Sequence, residues 1–162
     1  MIDVGDFREL VVRPALGHLA PFASAMSSAA AENLLIGTAL VETRLAAIRQ
    51  QGIEPARAAL GPFQMEPATC ADLWDRYLAR RPELRELVTA TTVPGQPPTG
   101  QLAWNWLHAA AMARVLFWRV VEPLPAADDV EGLGAYWKRH WNTELGAGTV
   151  ARFVLVYRRF AS

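Results

Sequence analysis

The sequence predicts a mainly α-helical protein folded as a single domain over residues 1–162, and three observations carry that reading. No stretch sustains the period-two alternation and β-branched enrichment of a half-buried strand. Clusters of proline and glycine cut the chain into segments whose apolar residues recur every three to four positions. A chain of 162 residues with 52% apolar side chains can bury a full core without disulfide or metal staples.

A first helix is predicted from about Asp6 to His18, bent at Pro14 because proline cannot donate to the preceding turn. A longer second helix runs from about Ser28 to Gln50, with Ser28 as its N-cap. From Gln51 to Pro67 the glycines and prolines at 52, 55, 61, 62 and 67 predict a shaped loop. Thr69 followed by Asp72 reads as a capping box opening a helix to about Leu78, and Pro82 suits the first turn of another to about Thr91. After a loop over Val93–Gly100, an apolar helix is predicted over Gln101–Val120, followed by a turn at Pro123 and Pro125. The last two helices are predicted over Asp129–Trp141 and Thr149–Phe160, the latter with Val150, Phe153, Val154 and Tyr157 facing the core.

Composition excludes several classes of function. Sixteen basic residues balance sixteen acidic ones, so the excess positive charge that nucleic acid requires is missing. Charged residues and prolines interrupt every apolar stretch before it reaches the ~18 residues of a membrane span, so a soluble protein without membrane insertion is expected. Cys70, the single cysteine, reads as a small buried hydrophobe beside a helix start. His18, His108 and His140 are scattered and have no acidic companions at metal-ligand spacing, so neither a metal nor a cofactor is expected. Asp3 and Asp6 stand where a secretory signal would carry basic residues, so no export signal is expected.

Glu42 is the residue whose setting points to chemistry. On the predicted helix, its face is made by Leu35, Ala39 and Ala46, and no cation occupies the neighbouring positions at three- and four-residue steps. A carboxyl removed from water and lacking a cation has its pKa raised from about 4.3 towards neutrality, which keeps a proton available for a leaving oxygen. On this helix alone a second reading stands equally open, in which Glu42 reaches an arginine of another helix.

Downstream, Gly61-Pro62-Phe63-Gln64 is followed by Met65-Glu66-Pro67 and Thr69. This order resembles the soluble lytic transglycosylases and, more loosely, the goose-type lysozymes. There a helix ending in Glu-Ser is followed about twenty residues later by Gly-Leu-Met-Gln, an apolar pair, Pro and Thr. Here the first pair is Glu42-Thr43, and the resemblance extends from about Ala30 to Tyr157. Asn105 with Ala109, Ala110 and Ala113 is similar to the family's Asn-led, alanine-rich helix, and Leu133-Gly134-Ala135-Tyr136 is similar to its Ala-Ala-Tyr segment. The match then loosens. The family continues with Asn and Gly-Pro-Gly, whereas this chain has Trp137 next and reaches Trp141-Asn142 and Gly146-Ala147-Gly148 later. Either Tyr136 takes the place of the family's active-site tyrosine, which is the preferred alignment, or Trp141-Asn142 replaces its Tyr-Asn pair.

The resemblance implies a lysozyme-like helical fold and cleavage of peptidoglycan between N-acetylmuramic acid and N-acetylglucosamine. Glu42 would protonate the glycosidic oxygen and the muramyl 6-hydroxyl would attack to give a 1,6-anhydro product. Gly61, Phe63, Gln64 and Met65 would shape the sugar groove, with the glycine letting the backbone approach the ligand. Among the tryptophans, Trp137 and Trp141 are the groove candidates, lying four residues apart in a polar setting; Trp104, Phe117 and Trp118 read as core.

A hydrolytic muramidase would need a second carboxylate, for which Glu54, Glu66, Asp72 and Asp75 are the nearby residues. The expected biological setting is a bacteriophage lysis enzyme held in the host cytoplasm until holin-dependent release to the periplasm, or a virion-associated enzyme. The rival reading is a non-catalytic phage structural protein on the same scaffold.

Overall fold

In a computed structural model the chain is described over residues 2–50, 52–54, 58–142 and 146–161. Those residues are mainly helical, and among them no strand forms beyond isolated bridges. Gln51 and Pro55 of the predicted loop lie outside the described residues.

Helix α1 covers residues 4–19, as Val4–Phe7, a π-type turn at Arg8–Val12, and Arg13–Leu19. The Asp3 carboxylate accepts the Asp6 N–H at 3.0 Å and caps its start. The wider π-type turn ends two residues before Pro14, and the helix continues past the missing proline donor without ending. Helix α2, Ala29–Thr43, begins as expected with Ser28 Oγ accepting the Ala31 N–H at 3.1 Å. It ends seven residues earlier than its pattern predicts, because Arg44 and Leu45 both take left-handed backbone angles, φ 51° and 53°.

Helix α3 spans residues 67–80 and differs from its expected start. Pro67 occupies the first turn and Glu66 the cap position, so the Thr69–Asp72 capping box does not form. Helices α4 (Pro82–Ala90) and α5 (Pro98–Gln101) follow. Helix α6, Trp106–Trp118, starts five residues later than expected, at the Asn105 cap, whose side-chain oxygen accepts the His108 N–H at 3.2 Å. Trp104, expected in the core, therefore precedes that helix and is exposed. Helix α7 covers residues 130–142, turning from Val130–Trp137 into a π-type turn at Lys138–Asn142. Helix α8 is Val150–Phe160, capped by Thr149.

Helices α2, α7 and α8 pack together, and α2 meets α8 closely at Gly37. A Cβ there would stand 2.1 Å from the Phe153 ring, so the absent side chain is what lets Phe153 lie over α2. Val156 and Tyr157 are buried beside Phe153, whereas Val150 and Val154 are only half-buried. Cys70 is fully buried, and burial pushes its thiol up to about 12. Among the described residues, no helix is long and apolar enough to cross a membrane.

Candidate functional site

Glu42 sits in the last turn of α2. Leu35 and Ala39 of its face are fully buried, as the helical spacing predicts. Ala46 does not share that face, since the helix has already ended, and it is exposed. The end is set by Thr43. Its hydroxyl lies 3.0 Å from both the Ala39 and Pro62 carbonyl oxygens and accepts the Leu45 N–H at 3.1 Å, tying the helix terminus to the following loop.

Burial pushes the Glu42 carboxyl up from 4.5 to about 7, against smaller opposing effects from the Trp137 indole and the Arg152 charge. The arginine that the alternative reading required does exist on α8, but Glu42 forms no ion pair with Arg152, and the desolvation cost wins.

The loop after α2 is held by sparse but specific pairing. Gln50 donates its N–H to Ala59 O at 2.9 Å, Gly61 to Ile48 O at 2.7 Å, and Leu60 and Met65 exchange bonds of 3.0 and 3.2 Å. Gly61 stands at φ +72°, and a Cβ on it would lie 2.0 Å from the Leu102 carbonyl oxygen. The glycine therefore serves a close backbone approach to Leu102, not to a ligand as its motif implies.

Phe63 is likewise buried, with its ring 5.9 Å from Phe7, and belongs to the core. Met65 is buried with only an edge at the groove. Gln64 is the member of the turn that reaches the site. It takes φ +50°, a conformation costing a non-glycine residue about 1 kcal/mol, and its Nε2 donates to Gly61 O at 2.9 Å.

The opposite wall comes from α7 and the loop behind it. Tyr136 does not face Glu42. Its hydroxyl donates to Glu122 O at 3.0 Å, and its ring lines a separate cavity with Arg114, Phe117 and Trp118. Trp137 is also no exposed groove platform, being 1% exposed and 5.7 Å from the Phe153 ring. Its indole N–H faces the Glu42 carboxyl without closing a hydrogen bond of normal geometry, and it has no other partner among the described residues. Trp141 is half-buried on Phe117, 5.1 Å between rings, and does line the site. Of the two alignments left open by the sequence, it is Trp141-Asn142 that the fold brings beside Glu42. Lys138 donates to Asn142 Oδ1 and to Gly146 O, both at 2.8 Å, and pins the loop carrying Gly146 and Ala147 to the same wall.

Glu42, Gln50, Ala59, Gln64, Glu66, Trp141, Asn142, Gly146 and Ala147 surround an open cavity of about 420 Å³. A second hollow of about 290 Å³ shares Gln64, Glu66, Trp141 and Asn142 and extends towards Thr69, Arg119 and His140. Together they form one groove with a mostly polar lining and the Glu42 carboxyl, its pKa raised by burial, at one end. Glu66 is exposed and lines both parts, whereas Glu54 lines neither and Asp72 is engaged with Arg76 and Arg119. Gln50 carried no signal of its own in the sequence, whereas Asn142, Gly146 and Ala147 belong to the Trp141-Asn142 and Gly146-Ala147-Gly148 segments that the resemblance singled out as the alternative alignment.

If the Trp141 ring supports a bound sugar, Trp141→Ala should raise KM roughly tenfold with a smaller change in kcat, as removal of a face used equally by ground and transition states requires. Steady-state kinetics on solubilised substrate separate the two. Comparison with protein-family models, with curated proteins and with solved structures gives no significant match to this chain.

Proposed function

We propose that this protein cleaves the glycan strands of bacterial peptidoglycan between N-acetylmuramic acid and N-acetylglucosamine, on a lysozyme-like scaffold, with Glu42 as general acid and then base. The observation that carries the reading is a half-buried glutamate, its pKa raised to about 7, opening onto a polar groove made by the Gly61–Gln64 turn and Trp141-Asn142. A glycosidic oxygen is too weak a base to leave unassisted, and a neutral carboxyl beside it supplies the proton.

In the first reading, Glu42 gives its proton to the leaving oxygen as the bond to the muramyl anomeric carbon breaks. The muramyl 6-hydroxyl bonds to that carbon, and its proton passes to the Glu42 carboxylate, so no water is consumed. The high effective concentration of a hydroxyl within the same sugar lets one carboxyl suffice. Gln64 and Asn142 offer amides to the acetamido and hydroxyl groups, and Trp141 offers a flat face to a pyranose ring.

The position of Glu66 favours a second reading, hydrolysis. It lines the same cavity as Glu42 and could direct a water to the anomeric carbon. The two readings share the acid and differ in product.

Activity should be full at mildly acid pH and fall through an apparent pKa of about 7, because the working form of Glu42 is the protonated one. Clearing of a peptidoglycan suspension across a pH series measures this. Arg152→Gln should move the alkaline limb upward, since it removes a charge that favours the carboxylate. A limb near 4 would show Glu42 solvated, and no clearing at any pH would remove the proposed activity.

A further inference from the structure

The groove does not end at Arg119. That residue also lines an open surface hollow of about 500 Å³ with Asp72, Arg76, Tyr77, Arg80 and Arg81. Four arginines face one carboxylate there, a local excess of three positive charges in a chain whose overall balance is zero. Asp72 meets Arg76 and Arg119 only at 3.4 Å each, which leaves both guanidiniums with unused donors. Arg81 lies over the Tyr77 ring at 3.7 Å and donates to Tyr77 O at 3.0 Å, so its position is fixed.

The arrangement is directional. Thr69 lines the groove, and Asp72, Arg76 and Arg80, farther along α3 through its π-type turn at Leu73–Tyr77, line the arginine hollow, so the helix leads from one to the other. Neutral N-acetylated sugars have no use for such a cluster, since their hydroxyls and amides gain little from a formal positive charge. Guanidinium forks instead match carboxylates, which they bind through paired N–H donors.

We propose that this arginine cleft is a second subsite that binds the carboxylates of the acidic peptide carried by the muramyl sugars, so that the protein reads the peptide as well as the glycan. The identity of the peptide's carrier rests on the glycan-cleaving reading above; recognition of an acidic peptide rests on the cleft itself. Four cations suit a short peptide with two or three carboxylates, and the net negative balance of the rest of the chain disfavours a long polyphosphate.

The test uses the intact protein and a soluble probe, the tripeptide L-alanyl-γ-D-glutamyl-meso-diaminopimelic acid, beside the same peptide with its carboxyls amidated. Binding is followed by NMR through the arginine side-chain resonances. The acidic tripeptide should shift the resonances of Arg76, Arg80, Arg81 and Arg119, and the amidated one should not. Arg76→Gln/Arg80→Gln, two exposed changes that spare the fold, should weaken binding roughly tenfold, and raised salt should weaken it further. Glu42→Gln should bind as the parent protein does. No binding at millimolar peptide, equal binding of the amidated form, or an unaffected double variant overturns the proposal. If phosphate alone competes as well as the carboxylate peptide, the cleft is a general anion site and the peptide assignment fails. Binding is read independently of cleavage, so a protein that binds the tripeptide but releases no glycan product loses the proposed activity and keeps this subsite.

Discussion

Glu42→Gln is expected to abolish glycan cleavage, by about a thousandfold or more, and to make the protein more stable at alkaline pH. The amide keeps the shape of the side chain but has no acidic proton to give, and general acid catalysis contributes about 10²–10⁴. The stability effect follows from the same burial. The folded protein holds the Glu42 proton up to about pH 7, whereas the unfolded chain releases it near 4.5. Between those values the unfolded state binds fewer protons, so stability falls as the pH rises through the window and the loss is complete above about 7. At 1.36 kcal/mol per unit, the burden approaches about 3 kcal/mol. Glutamine does not carry it. At pH 8 the variant should melt roughly 6–12 °C above the parent, and at pH 4 the two should coincide. Coincident melting at both pH values would show that Glu42 is not desolvated.

Gly61→Ala should have the largest effect on the fold of the site. The new methyl would lie 2.0 Å from the Leu102 carbonyl oxygen, which is backbone and has no rotamer through which to yield. The left-handed backbone adds a cost of about 1 kcal/mol to any residue with a Cβ, so a loss of roughly 2–4 kcal/mol is expected. The turn would have to open, carrying with it the Leu60–Met65 pairing and the Gln64 side chain, so cleavage should fall with stability. Thermal melting and clearing assays read both. A variant with parental melting and slower cleavage would mean that the glycine serves the ligand after all.

The parts of the fold and the candidate site legible in the sequence were those fixed by local spacing. Leu35 and Ala39 lie under Glu42 because residues three and seven positions apart share a helix face. The Ser28 cap was legible because a short polar side chain before an apolar run has few other uses, whereas the helix expected from Gln101 starts only at the Asn105 cap. The premature end of α2 was not legible, because Ala46 continues the apolar pattern and the stop depends on Thr43 meeting Pro62, a contact between distant parts of the loop. Helix α7 hid its functional side for a different reason. Tyr136, Trp137, His140 and Trp141 spread aromatic rings around most of the helix, and a π-type turn at Lys138–Asn142 shifts Trp141 out of the phase set by Trp137. Spacing therefore placed Trp137 and Trp141 together, whereas packing buries one and leaves the other at the groove. Spacing does not separate Glu66 from Glu54, Asp72 and Asp75 as a second carboxylate; the fold does, because at the cap of α3 Glu66 is exposed and lines the cavity.

The central claim, that this chain cleaves peptidoglycan through Glu42, is tested most directly by mass spectrometry of purified peptidoglycan digested with the parent protein and with Glu42→Gln. The parent should release muropeptides ending in 1,6-anhydro-N-acetylmuramic acid, lighter by one water than hydrolysed fragments, and the variant should release none. Fragments with reducing ends would keep Glu42 as the acid, assign the water-directing role to Glu66 and replace intramolecular attack by hydrolysis. Glycan fragments produced equally by both proteins, or by neither, would contradict the account.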